Sequence, residues 1–385
     1  MFTVLKNADL YAPEALGLND LWLTEGRILA LAPNLPNPPQ QIAHEVVDLQ
    51  GKRLIPGLVD GHVHLTGGGG EDGPASRVPP LQFSRLVSAG VTSCIGVLGT
   101  DGTTRTMREL VSTTLALRQE GLSAWCYTGS YQVPPVTLTG SVRDDLVFID
   151  PIIGVGELAI SDHRSSQPTL NEFLRIASDA YVGGMMARKS GVMHLHLGDG
   201  PRGMDLIRRA LETSELPPRL FHPTHINRRE ELFCEAQELS RQGVTVDLTA
   251  FPEEGESLSA AKGITRWLDE GLAIDRLTCS SDGAGCLPVF DDQGRMVQMD
   301  IGQPMTLIQT LAQLLAEGQS LADILPIFTS NPARVAGLTG RGQIESGGRA
   351  DLVVLGKDAG IDSVLAGGRW MVRDGEIQKY GLFER

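Results

Sequence analysis

The chain has 385 residues, 41% hydrophobic and 21% charged, enough to bury one large core or two ordinary ones and far from the composition of a disordered chain. Asp plus Glu number 47 against 33 Lys plus Arg, a formal charge of −14 with a pI near 5.0, which argues against nucleic-acid backbones and anionic membranes as partners. No apolar run approaches the ~20 residues of a membrane span, the charged start "MFTVLKNADLYAPE" does not read as an export signal, and five dispersed Cys without a CxxC pair fit a reducing cytosol.

The first ~55 residues read as short strands: "FTVLKNADLYA", "DLWLTEGRILALA" and "EVVDLQGKRLIPG" alternate apolar and polar residues between turn formers. The last ~45 residues, "GQIESGGRADLVVLG" and "IDSVLAGGRWMVRDGEI", read the same way. Neither end has enough strands for a stable sheet alone, and the two together do. The expectation is a small β-sandwich domain built from residues 1–54 and 338–385, with residues 55–337 inserted between them. In that middle, eight β-rich runs recur at 58–65, 91–97, 122–130, 152–160, 192–198, 219–226, 245–250 and 277–283. Their spacing of roughly 25–35 residues is that of βα units. Segments between them, such as "PLQFSRLVSAG" and "REELFCEAQELSRQG", have helical periodicity and end on Gly. Eight such units predict an α/β fold of the (β/α)8 TIM-barrel type, with "PMTLIQTLAQLLAEG" closing the ring. A doubly wound sheet is the second choice, since no GxGxxG follows an early strand.

Catalytic groups of such a barrel sit at the C-terminal ends of its strands, and the unusual polar residues fall there. Seven of the eight His lie between positions 62 and 225. His62 and His64 end the first run and, two apart, share a face. Glu157 lies in the fourth, His194 and His196 in the fifth, His225 ends the sixth and Asp282 the eighth. Each alone has a bland explanation: a satisfied core imidazole, a buried Glu paired with Arg, a turn Asp before Gly. Together they make a ligand set for zinc or a similar borderline cation. His194 and His196 share a face, so either qualifies; His196, nearer the strand end, is preferred, and His194 is assigned a packing or ligand-supporting role. His222 is out of phase with His225 and reads as structural, and His163 as a support for the site. Cys286 reads as pocket lining rather than a ligand.

The run "PGLVDGHVHLTGGGGEDGP" resembles the amidohydrolase superfamily and, more narrowly, the isoaspartyl (β-aspartyl) dipeptidases. "GVTSCIGVLGTD", "TGSYQVPPVTLTGSV", "AISDHRS", "LHLGD", "PTHINR" and "SSDG" follow in the order of that family. The resemblance implies that His62 and His64 bind the more buried of two zinc ions and His196 and His225 the other. A strand-four carboxylate bridges them, and Asp282 binds the first metal and serves as general base, then acid. It further implies that Glu71 holds the substrate ammonium, Arg164 and Arg228 grip carboxylates, Tyr131 donates to the oxyanion, and Thr100 lines the pocket. The expected substrate is a small zwitterionic β-aspartyl dipeptide, and the expected assembly a homo-oligomer. Two departures stand out. Strand four has no Lys where the family carries a carboxylated Lys, so Glu157 is the bridging candidate; and Cys286 stands where the family has Ser. The competing readings are another amidohydrolase, such as an N-acyl-amino-acid deacylase or cyclic amidase, and a non-catalytic scaffold that kept the barrel. The scaffold reading is disfavoured because every His ligand and Asp282 are present.

Overall fold

The computed structural model describes residues 2–251, 258–290 and 296–384. Six parallel strands pair in chain order: Leu58–Val63, Val91–Gly96, Ser123–Thr128, Ile152–Ile160, Val192–Leu197 and Phe221–Thr224. Val246–Thr249 and Leu277–Ser280 form a further parallel pair. These are the eight runs expected from the sequence, the fourth with the expected bounds and the others shorter by one to four residues. The six-strand and two-strand pieces are joined largely by side chains. Between the sixth and seventh strands, the Thr224 hydroxyl donates to Asp247 at 2.7 Å, and Asn227 accepts from the Thr249 backbone N–H at 2.9 Å. Between the eighth and first, the His64 N–H donates to the Gly283 carbonyl at 2.8 Å, and the Ser281 hydroxyl and backbone N–H both donate to Asp60. Burial pushes the Asp60 carboxyl up to about 7 against those hydrogen bonds.

Helices follow the strands with ordinary end signals. Met107–Glu120 starts on Thr106, whose hydroxyl accepts from the Glu109 N–H, and stops at Gly121 in the left-handed conformation. Leu170–Ala187 opens with a capping box, Thr169 with Glu172. It buries Phe173, Ile176, Ala177, Ala180, Gly183 and Gly184, a stripe at helical spacing. The expected closing helix is Met305–Ala316.

Both termini build one nine-stranded sheet. Its join is the antiparallel pairing of Arg53–Pro56 with Leu352–Leu355, Ile55 opposite Val353. Phe2–Tyr11 pairs with Ala15–Thr24 on one edge and with His44–Asp48 and Arg53–Pro56 on the other. Period-two alternation gives the shared strands two inner faces. Leu54, Leu352, Val354 and Leu365 pack with Leu5, Leu10, Leu21 and Ile28 in a core of their own, while their neighbours Ile55, Val353, Leu355 and Val364 pack into the barrel's core. The sheet is thereby fixed to the barrel by the same strands that hold its halves together. No helix among the described residues is long and apolar enough to cross a membrane.

Candidate metal centre and substrate pocket

The ends of the barrel strands converge on a buried cluster. His62, His64, Glu157, His196, His225 and Asp282 are each no more than 5% exposed. His62 Nε2 lies 3.3 Å from His64 Nε2 and 3.4 Å from Glu157 Oε1 and from Asp282 Oδ1. His64 Nε2 lies 3.4 Å from the same Glu157 oxygen and 3.0 Å from the same Asp282 oxygen. Four ligands at about 2.1 Å from a tetrahedral centre stand roughly 3.4 Å apart, so these separations are those of donors aimed at one cation. Glu157 Oε1 and Asp282 Oδ1 are buried and have no hydrogen-bond partner among the described residues, a cost the fold avoids unless something else satisfies them. The donor set fits a borderline divalent cation.

The other Glu157 oxygen, Oε2, faces His196 Nδ1 at 3.1 Å and His225 Nε2 at 3.7 Å. His62, His64 and Asp282 form one ligand-competent group and His62, Glu157 and His225 a second. Two buried groups sharing a ligand are consistent with a binuclear site. Burial would raise the Glu157 pKa, but the surrounding His62, His196 and His225 hold it well below the ordinary carboxylate range. The Asp282 carboxyl is likewise brought down to about 2, His64 and His62 outweighing burial.

Local backbone explains the aim of several groups. His225 directly follows its strand and Asp282 lies two residues beyond its own, with φ of 63° and 52°, a conformation that costs non-Gly residues of order 1–3 kcal/mol. The turn at His225 takes it out of strand phase. His222 and His225, three apart, can therefore both face the barrel interior, which the strand periodicity alone does not show. Gly99, at φ 79°, leaves room for the metal-facing groups: a Cβ there would stand 2.6 Å from the His64 ring and 3.4 Å from Glu157 Oε1.

Around the cluster stand the residues expected from the sequence to meet the substrate. The Tyr131 hydroxyl is 2.7 Å from His196 Nδ1, beside the cluster. Thr100 donates its hydroxyl to Glu71 at 2.9 Å, and Arg164 reaches the same Glu71 oxygen at 3.4 Å. Glu71 Oε2 is buried, with no N–H or O–H donor to it among the described residues. Cys286 lies against Glu71, and burial, reinforced by that carboxylate, pushes its thiol up to about 12. Arg228 adds its charge beside His225, with Nε unpartnered among the described residues. Arg164 is also paired within the protein: Nε and Nη2 donate to Asp162 at 3.0 and 2.7 Å.

Two supporting residues, Asp162 and Arg105, are not legible in the sequence. Asp162 Oδ2 lies 2.9 Å from His196 Nε2 and so orients that ring from behind. Gly198 permits this approach, since a Cβ there would collide with Asp162 Oδ2 at 2.1 Å. Arg105, 2% exposed, donates to the carbonyls of Thr66, Gly68 and Val78 and so ties down the glycine-rich loop that carries Glu71. Behind His62 stand His194 and His222, with His62 Nδ1 2.8 Å from His194 Nε2. His163 is half-exposed at 54%, its Nδ1 3.6 Å from Asp162, at the margin of the site.

The fold and the buried donor cluster define a metal-dependent hydrolase. Residues 53–371 match the amidohydrolase family, and the chain belongs to it. Over nearly its whole length it is similar to the β-aspartyl dipeptidase of the thermophilic keratin-degrading Fervidobacterium islandicum AW-1. The structure of that protein in complex with a β-Asp-Leu dipeptide is 42% identical with a TM-score of 0.93, covering 98% of this chain and 99% of that one. A second structure from the same organism gives 40% and 0.91, with 98% of this chain and 99% of that one covered. Among curated relatives, adenine deaminase 2 of Carboxydothermus hydrogenoformans is 25% identical over 361 residues, 91% of this chain; the chain spans 55% of that protein's length.

Proposed function

We propose that this protein hydrolyses the β-aspartyl amide bond of small dipeptides. The observation that carries the reading is the placement of Glu71 and Arg164, 3.4 Å apart and largely buried, beside the metal-ligand cluster. A free α-amino acid head carries one ammonium and one carboxylate. Inserted between these side chains, it exchanges their mutual ion pair for two of the same kind, Glu71 with the ammonium and Arg164 with the carboxylate. Arg164 keeps Asp162 throughout, and Arg228 serves the second carboxylate of the dipeptide. A bidentate guanidinium suits carboxylates better than an ammonium does. The similarity to a β-aspartyl dipeptidase holding β-Asp-Leu supports the same substrate class.

The metal reading is two zinc ions: His62, His64 and Asp282 would hold one, His196 and His225 the other, and Glu157 would be a ligand available to both. Such a pair supplies a Lewis acid for the amide carbonyl and makes water acidic enough to attack near neutral pH. The protein's own groups do the rest. Asp282 accepts the proton of the attacking water and returns it to the leaving amine nitrogen as the C–N bond breaks. Tyr131 donates its hydroxyl to the carbonyl oxygen as negative charge develops there. Thr100 holds Glu71 in place, and Cys286 lines the pocket beside it. Residues 55–337 form the catalytic unit and residues 1–54 with 338–385 the supporting one. The protein works in the cytoplasm as a homo-oligomer, without nucleic-acid or membrane partners, a setting consistent with its acidic balance and reduced cysteines.

The experiment is a comparison of β-Asp-Leu, α-Asp-Leu and N-acetyl-Asp as substrates, with and without chelator. Selective, chelator-sensitive cleavage of β-Asp-Leu is the expected result. Cleavage of N-acetyl-Asp in preference would replace the dipeptidase reading with that of a deacylase.

A further inference from the structure

A line of polar side chains runs from the metal cluster into the barrel interior, and neither the proposed chemistry nor apolar packing calls for it. His62 Nδ1 lies 2.8 Å from His194 Nε2, and His194 Nδ1 lies 3.0 Å from His222 Nδ1. His222 Nε2 lies 3.0 Å from the Thr278 hydroxyl, which donates to Asp247 Oδ1 at 2.5 Å. The second Asp247 oxygen accepts from Thr224 at 2.7 Å and Ser280 at 2.5 Å. His194, His222, Thr278 and Asp247 are each no more than 2% exposed. An apolar residue at 194 or 222 would bury more cheaply than an imidazole.

Hydrogen-bond bookkeeping gives this line a direction. Each nitrogen–nitrogen contact takes one proton, so one ring donates and the other accepts. Asp247 accepts at its far end, so the Thr278 proton points to Asp247, and Thr278 must accept from His222 Nε2–H. His222 Nδ1 then has only a lone pair and accepts from His194 Nδ1–H. His194 Nε2 in turn accepts from His62 Nδ1–H. The last ring is left with a bare Nε2, the atom that faces Glu157 and Asp282.

We propose that His194 and His222 are positioning residues that, anchored through Thr278 on Asp247, fix His62 in the tautomer and orientation that leave Nε2 free for a cation. The proposal rests on the reading of His62 as a metal ligand. It differs from the usual support of a ligating imidazole, a single carbonyl or carboxylate, in placing two further imidazoles and a hydroxyl between ligand and carboxylate. The carboxylate's direction is thereby delivered without its charge lying against the metal site.

The test measures cobalt(II) affinity and the cobalt absorption spectrum of the protein, for the native chain and five variants. His194→Leu removes the acceptor for His62, and His194→Gln keeps an acceptor oxygen near the same point. Thr278→Val cuts the line at its far end with almost no change in volume, and Thr278→Ser restores the hydroxyl. His194→Leu is expected to weaken cobalt binding about 10- to 100-fold with an altered spectrum, as loss of a ligand's support does. His194→Gln should recover most of that affinity. Thr278→Val should show a smaller loss in the same sense, absent from Thr278→Ser. In zinc-loaded protein labelled with 15N-histidine, His194 should carry its proton on Nδ1 and His222 on Nε2. Native affinity and spectrum in both His194→Leu and Thr278→Val, or the opposite tautomers, would overturn the proposal. His62→Gln separates the two levels of the argument. If it binds cobalt as tightly as the native chain, the ligand reading of His62 falls, and the proposal with it. If it loses cobalt while His194→Leu and Thr278→Val do not, only the proposal falls.

Discussion

Replacing Glu71 with Gln isolates the feature that separates a dipeptidase from its amidohydrolase relatives. The substitution keeps size and the acceptor for Thr100, 2.9 Å away, and removes only the negative charge. Glu71 and Arg164 are 7% and 10% exposed and 3.4 Å apart. At an effective dielectric near 20, unit charges at that separation attract by about 5 kcal/mol. A substrate ammonium taking the place of Arg164 beside Glu71 meets a similar field and must shed its own hydration. The net worth of such a charge-assisted contact is then about 1.5–3 kcal/mol. At 1.36 kcal/mol per tenfold change, that corresponds to a loss of about 10- to 150-fold in kcat/KM. The assay is steady-state hydrolysis of β-Asp-Leu and of N-acetyl-β-Asp-Leu by both proteins. The native chain should strongly favour the free amine, and Glu71→Gln should lose activity on that substrate alone, narrowing the preference by the same factor. An equal loss on both substrates would refute the reasoning, since it would show that Glu71 supports the pocket and not the ammonium.

Tyr131→Phe removes the hydroxyl proposed to donate to the oxyanion and should lower kcat by about 10²–10³ with unchanged metal content and little change in KM; a change confined to KM would assign the hydroxyl to ground-state binding. Arg105→Ala strips the donors from three loop carbonyls and should destabilise the protein by about 3–5 kcal/mol in urea unfolding. Any Arg105→Ala protein that still folds should show a raised KM for β-Asp-Leu through misplacement of Glu71. Asp162 gives a pH prediction. Burial raises its pKa, but hydrogen bonds from His196 and Arg164 outweigh burial and hold the carboxyl far below the ordinary range. A depressed carboxylate contributes its stability above the unfolded value of about 4 and loses it only as pH falls through the folded one. The stability difference between the native chain and Asp162→Asn should therefore be flat from pH 5 to pH 8. A difference that vanished by pH 5 would contradict that ionisation state.

The strands were the legible part of this fold. Strands of a parallel barrel are buried on both faces, so they read as near-continuous apolar runs, and a His, Glu or Asp at the end of one stands out. Supports come from elsewhere in the chain and leave no local pattern. Asp162 sits one residue before an exposed His and shows its purpose only where the His196 ring meets it. Arg105 lies in a loop and acts on carbonyls 27 to 39 residues away. Sequence phase made His222 look unrelated to the metal cluster, because the left-handed turn at His225 was invisible. His194 was expected to pack or to support a ligand, and it lies 2.8 Å from His62; the line that continues from it through His222 was not foreseen. The two-ended sheet was inferable from strand count, its mode of attachment only from which face each residue covers.

The central claim is that Glu157, in place of a carboxylated Lys, sits between two metal ions that serve one hydrolytic site. The measurement that tests it most directly is the titration of metal-free protein with zinc, following bound metal and β-Asp-Leu hydrolysis on the same samples. The account predicts tight binding that ends at two ions per chain, with full activity reached only at the second, and loss of the second ion in Glu157→Gln. Full activity at one ion per chain, or hydrolysis that persists after all metal is removed, would contradict it.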